Sequence, residues 1–136
     1  MQRILVVEDD SAIRELVAQT LRDAGFTVAA ASDGAAGLTL LRTFRPDALF
    51  LDLDLPQLDG RDLLRAARTE GLLGRAAVAL VSAVPDLAGI ATESRVEHWL
   101  AKPFSLEAIE TLAARLLGLR RGGTAPPPRR GLRRRG

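Results

Sequence analysis

Cysteine is absent from the 136 residues. A disulfide framework and thiolate chemistry are therefore excluded, and a reducing compartment is compatible. Long hydrophobic runs are absent as well, since none approaches the roughly 18 apolar residues of a membrane span. The chain opens at once on a strand-like run, Ile4-Leu5-Val6-Val7, with no signal-peptide pattern before it. A cytoplasmic chain is the expectation. Aromatic residues make up only 4%, one tryptophan and four phenylalanines. Lysine is almost missing. Of the 19 basic residues, 18 are arginine and the single lysine is Lys102. Genomic base composition accounts for the arginine excess. Against that background one retained lysine stands out, because a compact ammonium on a flexible stem does different chemistry from a planar guanidinium.

Acidic residues are missing from Gly118 onward, where seven arginines lie. The body, Met1 to Leu117, sets twelve basic residues against all 17 acidic ones, a net charge of −5. The overall charge of +2 and the pI of about 10.3 therefore belong to the tail, not to a basic domain. The segment 118–136 combines Pro126-Pro127-Pro128 with arginine clusters between glycines. It cannot bury enough apolar surface to offset the entropy of ordering and is expected to be disordered. Residues 1–117 suffice for one domain, and an apolar content of 47% supplies its core.

Within that body, apolar runs alternate with helical patterns. Arg3–Val7, Thr27–Ala31, Asp47–Leu51, Ala76–Val81 and Glu97–Ala101 read as strands. Between them lie helical stretches. Ser11 is a candidate N-cap for a helix running to about Ala24, with Ile13, Leu16, Val17 and Leu21 on one face and Gly25 as its stop. Gly34–Thr43 is ended by Pro46, and Arg61–Glu70 carries Leu63, Leu64 and Ala67. Asp86–Glu93 is weakened by Gly89. Ser105 caps a last helix with Leu106, Ile109, Leu112, Ala113 and Leu116 inward. Five βα units of this kind predict an α/β fold, a doubly wound five-stranded parallel sheet with helices on both faces.

Four of the strands end on polar groups: Glu8-Asp9, Asp52, Ser82 and Lys102. Ligands of open parallel sheets bind where the carboxyl ends of the strands meet at a switch in strand order. Three carboxylates, a hydroxyl and an amine converging there point to a divalent metal and a phosphate. Asp10 reads as a local cap rather than a ligand.

These residues carry a resemblance. The stretches Ile4 to Asp10, Pro46 to Gly60, Leu80 to Ala83 and Trp99 to Phe104 resemble the receiver domain of two-component response regulators, over about residues 2 to 117. The resemblance implies a flavodoxin-like sheet of order 2-1-3-4-5. It implies Asp52 as the phosphoryl acceptor, with Mg²⁺ bound directly by Asp9 and Asp52 and mainly through water by Glu8. Asp54 would lend its backbone carbonyl to the metal while its side chain influences hydrolysis. Lys102 would pair with the phosphoryl group, and Lys102-Pro103 is a candidate cis peptide. Ser82 and Trp99 would form the switch, tryptophan standing where the family usually has tyrosine or phenylalanine. His98 is assigned no role. The segment from Val84 to His98 departs from the family pattern, being short and carrying Pro85 and Gly89.

With nineteen residues after Leu117, no second output domain fits, so a stand-alone receiver is the expectation. Its partners would be a sensor histidine kinase or phosphotransfer protein and a downstream protein. No turnover enzyme activity is expected beyond self-phosphorylation and loss of the phosphoryl group at Asp52. A binding module whose tail makes weak nucleic-acid contact is the alternative, without base stacking, because no aromatic residue lies in the tail. A phosphatase with an aspartate nucleophile would match Asp52-Leu53-Asp54, but the chain lacks a cap segment for substrate recognition.

Overall fold

The computed structural model describes residues 2–119. The expectations for the rest of the basic tail, residues 120–136, lie outside the described residues. Strands β1 (Arg3–Val7), β2 (Thr27–Ala31), β3 (Ala48–Leu51), β4 (Ala77–Ser82) and β5 (His98–Ala101) alternate with helices α1 (Ser11–Asp23), α2 (Gly34–Thr43), α3 (Gly60–Thr69), α4 (Leu87–Glu93) and α5 (Leu106–Leu116). All strand pairs are parallel and the sheet order is β2-β1-β3-β4-β5.

Side chains of a strand alternate between its two faces, and here the alternation sorts the core into two layers. Ile4, Val6, Ala48, Phe50, Ala79 and Val81 pack with Val17 and Leu21 of α1 and Ile109 and Leu112 of α5. Leu5, Val7, Leu49, Leu51 and Leu80 pack with Leu41 of α2, Leu63 and Leu64 of α3 and Ala91 of α4. The central strands are buried on both faces, which is why they read as continuous apolar runs rather than alternating ones. No helix among the described residues is long and apolar enough to cross a membrane.

Several local expectations are corrected. Asp10, not Ser11, is the N-cap of α1, and its carboxylate accepts from the Ile13 N–H at 3.0 Å. A charged acceptor at the positive end of a helix outcompetes the neighbouring hydroxyl. Leu16 is half exposed, because the buried stripe runs through Val17, Ala18 and Leu21 and one residue earlier lies about 100° around the helix. Leu106 is exposed as well, since it precedes the turns of α5 that cover the sheet, which begin at Ile109. Asp47 lies outside β3, where its carboxylate accepts from the Arg3 N–H. Ala76 and Glu97 lie just outside β4 and β5, Ser82 joins β4, and Gly60 opens α3 behind the cap Asp59.

The ends of α5 and α4 bear on the boundaries of the fold. The fold runs two residues past Leu117: Gly118, at φ 69°, turns the chain, and the Leu119 N–H donates to the Ala114 carbonyl at 2.8 Å. Leu119 then packs partly buried on the core. Helix α4 has only seven residues, and both its N-cap Asp86 (φ 56°) and the post-helical Arg95 (φ 58°) are left-handed. Arg68 of α3 holds that end, donating to the carbonyls of Ser94 and Arg95.

Candidate functional site

The same alternation that builds the core delivers the polar groups. Glu8 follows Ile4 and Val6 on the face beneath α1 and α5, Asp52 follows Ala48 and Phe50, and Lys102 follows Leu100. Glu8 and Asp52 are therefore buried, at 4% and 3% exposure, although they are acids. They stand side by side at the junction of β1 and β3, where the strand order reverses and a crevice forms.

Lys102 closes the group. Its Nζ lies 2.7 Å from Glu8 Oε1 and 2.8 Å from Asp52 Oδ2. The remaining carboxylate oxygens accept backbone N–H groups, Asp52 Oδ1 from Asp54 and Glu8 Oε2 from Asp10, each at 3.0 Å. Buried charges persist only when paired and hydrogen-bonded, and these two carboxylates meet both conditions. The Lys102–Pro103 peptide bond is cis. Burial pushes the Glu8 carboxyl above the usual carboxylate range, against the opposing pull of its bond to Lys102. Burial would lower the Lys102 ammonium, but its bonds to Asp52 and Glu8 outweigh that and raise it above an ordinary lysine.

Asp9 completes an acidic cluster. Carboxylate oxygens of Glu8, Asp9 and Asp52 all lie within 4.8 Å of one another. Unlike the other two, the Asp9 carboxylate is exposed and takes part in no hydrogen bond or ion pair among the described residues. Three negative charges against one ammonium leave an excess of anionic, hard oxygen donors, the ligand chemistry that Mg²⁺ favours. The residues fit that ion, with Asp9 free to bind at once and Glu8 shared with Lys102.

The other predicted residues lie further out. Ser82 is fully buried at the end of β4, and its Oγ accepts from the Val84 N–H at 3.5 Å. By alternation it follows Leu80, on the α4 face, and its backbone carbonyl receives the Lys102 N–H. Asp54 is exposed. Trp99, 44% exposed on the edge strand β5, pairs in register with Leu80, short of the strand ends that carry the acids.

A family model for the response regulator receiver domain matches residues 4–114. The chain belongs to that family. Response regulator MprA of Mycobacterium ulcerans is 40% identical over 121 residues, 88% of this chain and 50% of that protein. DNA-binding response regulator MtrA of Mycobacterium tuberculosis is 36% identical over 118 residues, 85% of this chain and 50% of its own length. The chain thus spans about half the length of the curated relatives it matches. Among solved structures, chemotaxis response regulator CheY4 of Vibrio cholerae superposes with a TM-score of 0.78 at 28% identity, covering 86% of this chain and 99% of that one. The receiver domain of AraT, a response regulator from Geobacillus stearothermophilus, gives 0.74 at 26%, covering 86% and 93%. The receiver is a phosphoaccepting signalling domain of two-component systems, and its family binds Mg²⁺ at an acidic pocket.

Sequence reasoning missed three features of this receiver. The Glu8–Lys102 contact is one, because Glu8 reads as a metal acid alone. Gly60 is another: a Cβ there would lie 2.4 Å from the Asp52 carbonyl oxygen and 2.7 Å from Leu53 Cα. Only the missing side chain lets α3 start against the acid-bearing turn. The third is Arg14, whose Nη1 donates to the carbonyls of Glu8 at 2.9 Å and Asp9 at 3.3 Å. A signal for it existed, since Arg14 lies four residues after the N-cap Asp10 and helical side chains lean toward the N-terminus.

Proposed function

We propose that this receiver takes a phosphoryl group from a phosphohistidine of a sensor histidine kinase or phosphotransfer protein onto Asp52. The observation that carries the reading is the buried Asp52 carboxylate, paired with the chain's only lysine at 2.8 Å and flanked by two further acids. A carboxylate oxygen of Asp52 attacks phosphorus, the bond from phosphorus to the donor imidazole nitrogen breaks, and the freed imidazole takes up a proton. Glu8, Asp9 and Asp52, with the backbone carbonyl of Asp54, would hold Mg²⁺. Bound there, the ion neutralises the charge that gathers on the phosphoryl oxygens.

The chain's own residues do the rest. Lys102 pairs with Asp52 before transfer and with a phosphoryl oxygen after it. Ser82 donates its hydroxyl to another phosphoryl oxygen, which draws it away from Val84, and Trp99 responds to that movement. The new contacts exist only in the phosphorylated state, so they bias a two-state equilibrium that a downstream protein partner reads. We take the receiver to run through Leu119, which packs on the core two residues beyond the expected boundary at Leu117, with the arginine-rich residues 120–136 as a separate basic tail.

Intact-protein mass after incubation with acetyl phosphate tests the reading. One phosphoryl adduct per chain is expected with Mg²⁺, none with EDTA and none in Asp52→Asn. An adduct that persists in Asp52→Asn, or its absence from the wild-type chain, counts against it.

A further inference from the structure

We propose that Arg14 is a positioning residue for the metal-binding acids, an inference that rests on the reading of Glu8, Asp9 and Asp52 as the Mg²⁺ site. Glu8 and Asp9 lie between β1 and α1, so neither carbonyl has a strand or helix partner. The Glu8 carbonyl is part-buried and needs a donor, while the Asp9 carbonyl lies at the exposed edge of the same turn. Arg14 supplies both bonds, and no other hydrogen bond to these two oxygens forms among the described residues. One guanidinium nitrogen therefore ties together two successive peptide planes.

Those planes matter most for Asp9. Glu8 and Asp52 each have both carboxylate oxygens occupied, by Lys102 and by a backbone N–H. The Asp9 carboxylate has no such partner, so only its backbone and its own rotamer place it. The backbone is set by Arg14 on the two carbonyls, by the Asp10 N–H bond to Glu8 Oε2 and by the Asp10 cap of α1. Groups that orient metal ligands without touching the metal change affinity by about 10- to 100-fold when removed.

Charge and position predict opposite signs. Removing a guanidinium near a cation site should strengthen cation binding if only charge matters, because like charges repel. Losing the position of Asp9 should weaken it. Mn²⁺, a paramagnetic stand-in that shares the preference of Mg²⁺ for oxygen ligands, can be titrated by the loss of its free electron-paramagnetic signal. Competition with Mg²⁺ then gives the affinity for that ion. Arg14→Gln should bind Mn²⁺ roughly tenfold more weakly than wild type, at the low end of the range because charge removal opposes the loss. Arg14→Lys, which keeps the charge and one reaching donor, should fall between, and thermal melts show whether each variant is folded. Unchanged or tighter binding by Arg14→Gln, while Asp9→Asn binds weakly, overturns the positioning role. Unchanged binding by Asp9→Asn overturns the metal reading itself and the proposal with it. If Arg14→Gln does not fold, Arg14→Lys decides: weaker binding supports the proposal and wild-type affinity overturns it.

Discussion

Replacing Lys102 by methionine isolates what the single lysine does for the fold. Methionine keeps the aliphatic stem and removes the ammonium that lies 2.7 Å from Glu8 and 2.8 Å from Asp52. Two carboxylates with side chains 5% and 3% exposed are then left without a counter-charge. Removing one partner of a buried ion pair costs about 3–5 kcal/mol. The lower figure applies here, because exposed Asp9 marks a side of the cluster that water and ions can reach. At about 2.1 cal/mol/K per residue, the 2–119 body loses about 0.25 kcal/mol per degree near its melting point. A loss of about 3 kcal/mol therefore lowers Tm by about 12 °C.

The sign of the pH dependence follows from Glu8. Its folded pKa is raised, so the folded state holds that proton more tightly than the unfolded chain does. Ionised Glu8 costs stability above the folded pKa, and the cost disappears as pH falls toward the unfolded value of 4.5. The defect of Lys102→Met should thus be largest at neutral pH and shrink on acidification. Adding Glu8→Gln to the variant should recover part of it, as should Mg²⁺, which binds only the folded site. Circular-dichroism melts in EDTA at pH 7.5 and pH 5, repeated with Mg²⁺, measure all of this. A Tm for Lys102→Met within about 4 °C of wild type in EDTA at pH 7.5, equivalent to about 1 kcal/mol, would refute the reasoning.

Two further substitutions probe the frame around the site. Gly60→Ala puts a Cβ 2.4 Å from the Asp52 carbonyl oxygen, against backbone that cannot swing aside. About 2–3 kcal/mol of overpacking strain and at least tenfold slower labelling by acetyl phosphate are expected. Melting and labelling like wild type would contradict the contact. Arg95→Gly should raise Tm by about 2–4 °C, because the residue is exposed, left-handed at φ 58°, and bonded to Arg68 only through its carbonyl. An unchanged or lower Tm argues against that conformation.

How far the chain could be read from its letters depends on the range of the interaction involved. Apolar runs four to six residues long announce strands because both faces of a doubly wound sheet are covered, and the period of two then carries Glu8, Asp52 and Lys102 to one face. That logic is local, and it places the strand ends without knowledge of the third dimension. Strand order and the partner of each charge are not local. Glu8 and Lys102 are separated by most of the chain, and nothing in their spacing says that the lysine bridges two acids rather than pairing with Asp52 alone. Arg14 and Arg68 look like members of solvated helix faces. Their roles emerge only when the carbonyls of a turn and of a helix end come within reach of their guanidinium groups. The same limit explains Leu16 and Leu106, since helical periodicity gives the angle of a side chain but not where the helix crosses the sheet. Even the weak α4 divides this way. Pro85 and Gly89 advertise a short helix, whereas the left-handed Arg95 that ends it, closed by local backbone bonds and clasped by Arg68 of α3, carries no glycine to announce it. The acid pocket is therefore written in the sequence as chemistry, and the arginines that hold its backbone are written only in the fold.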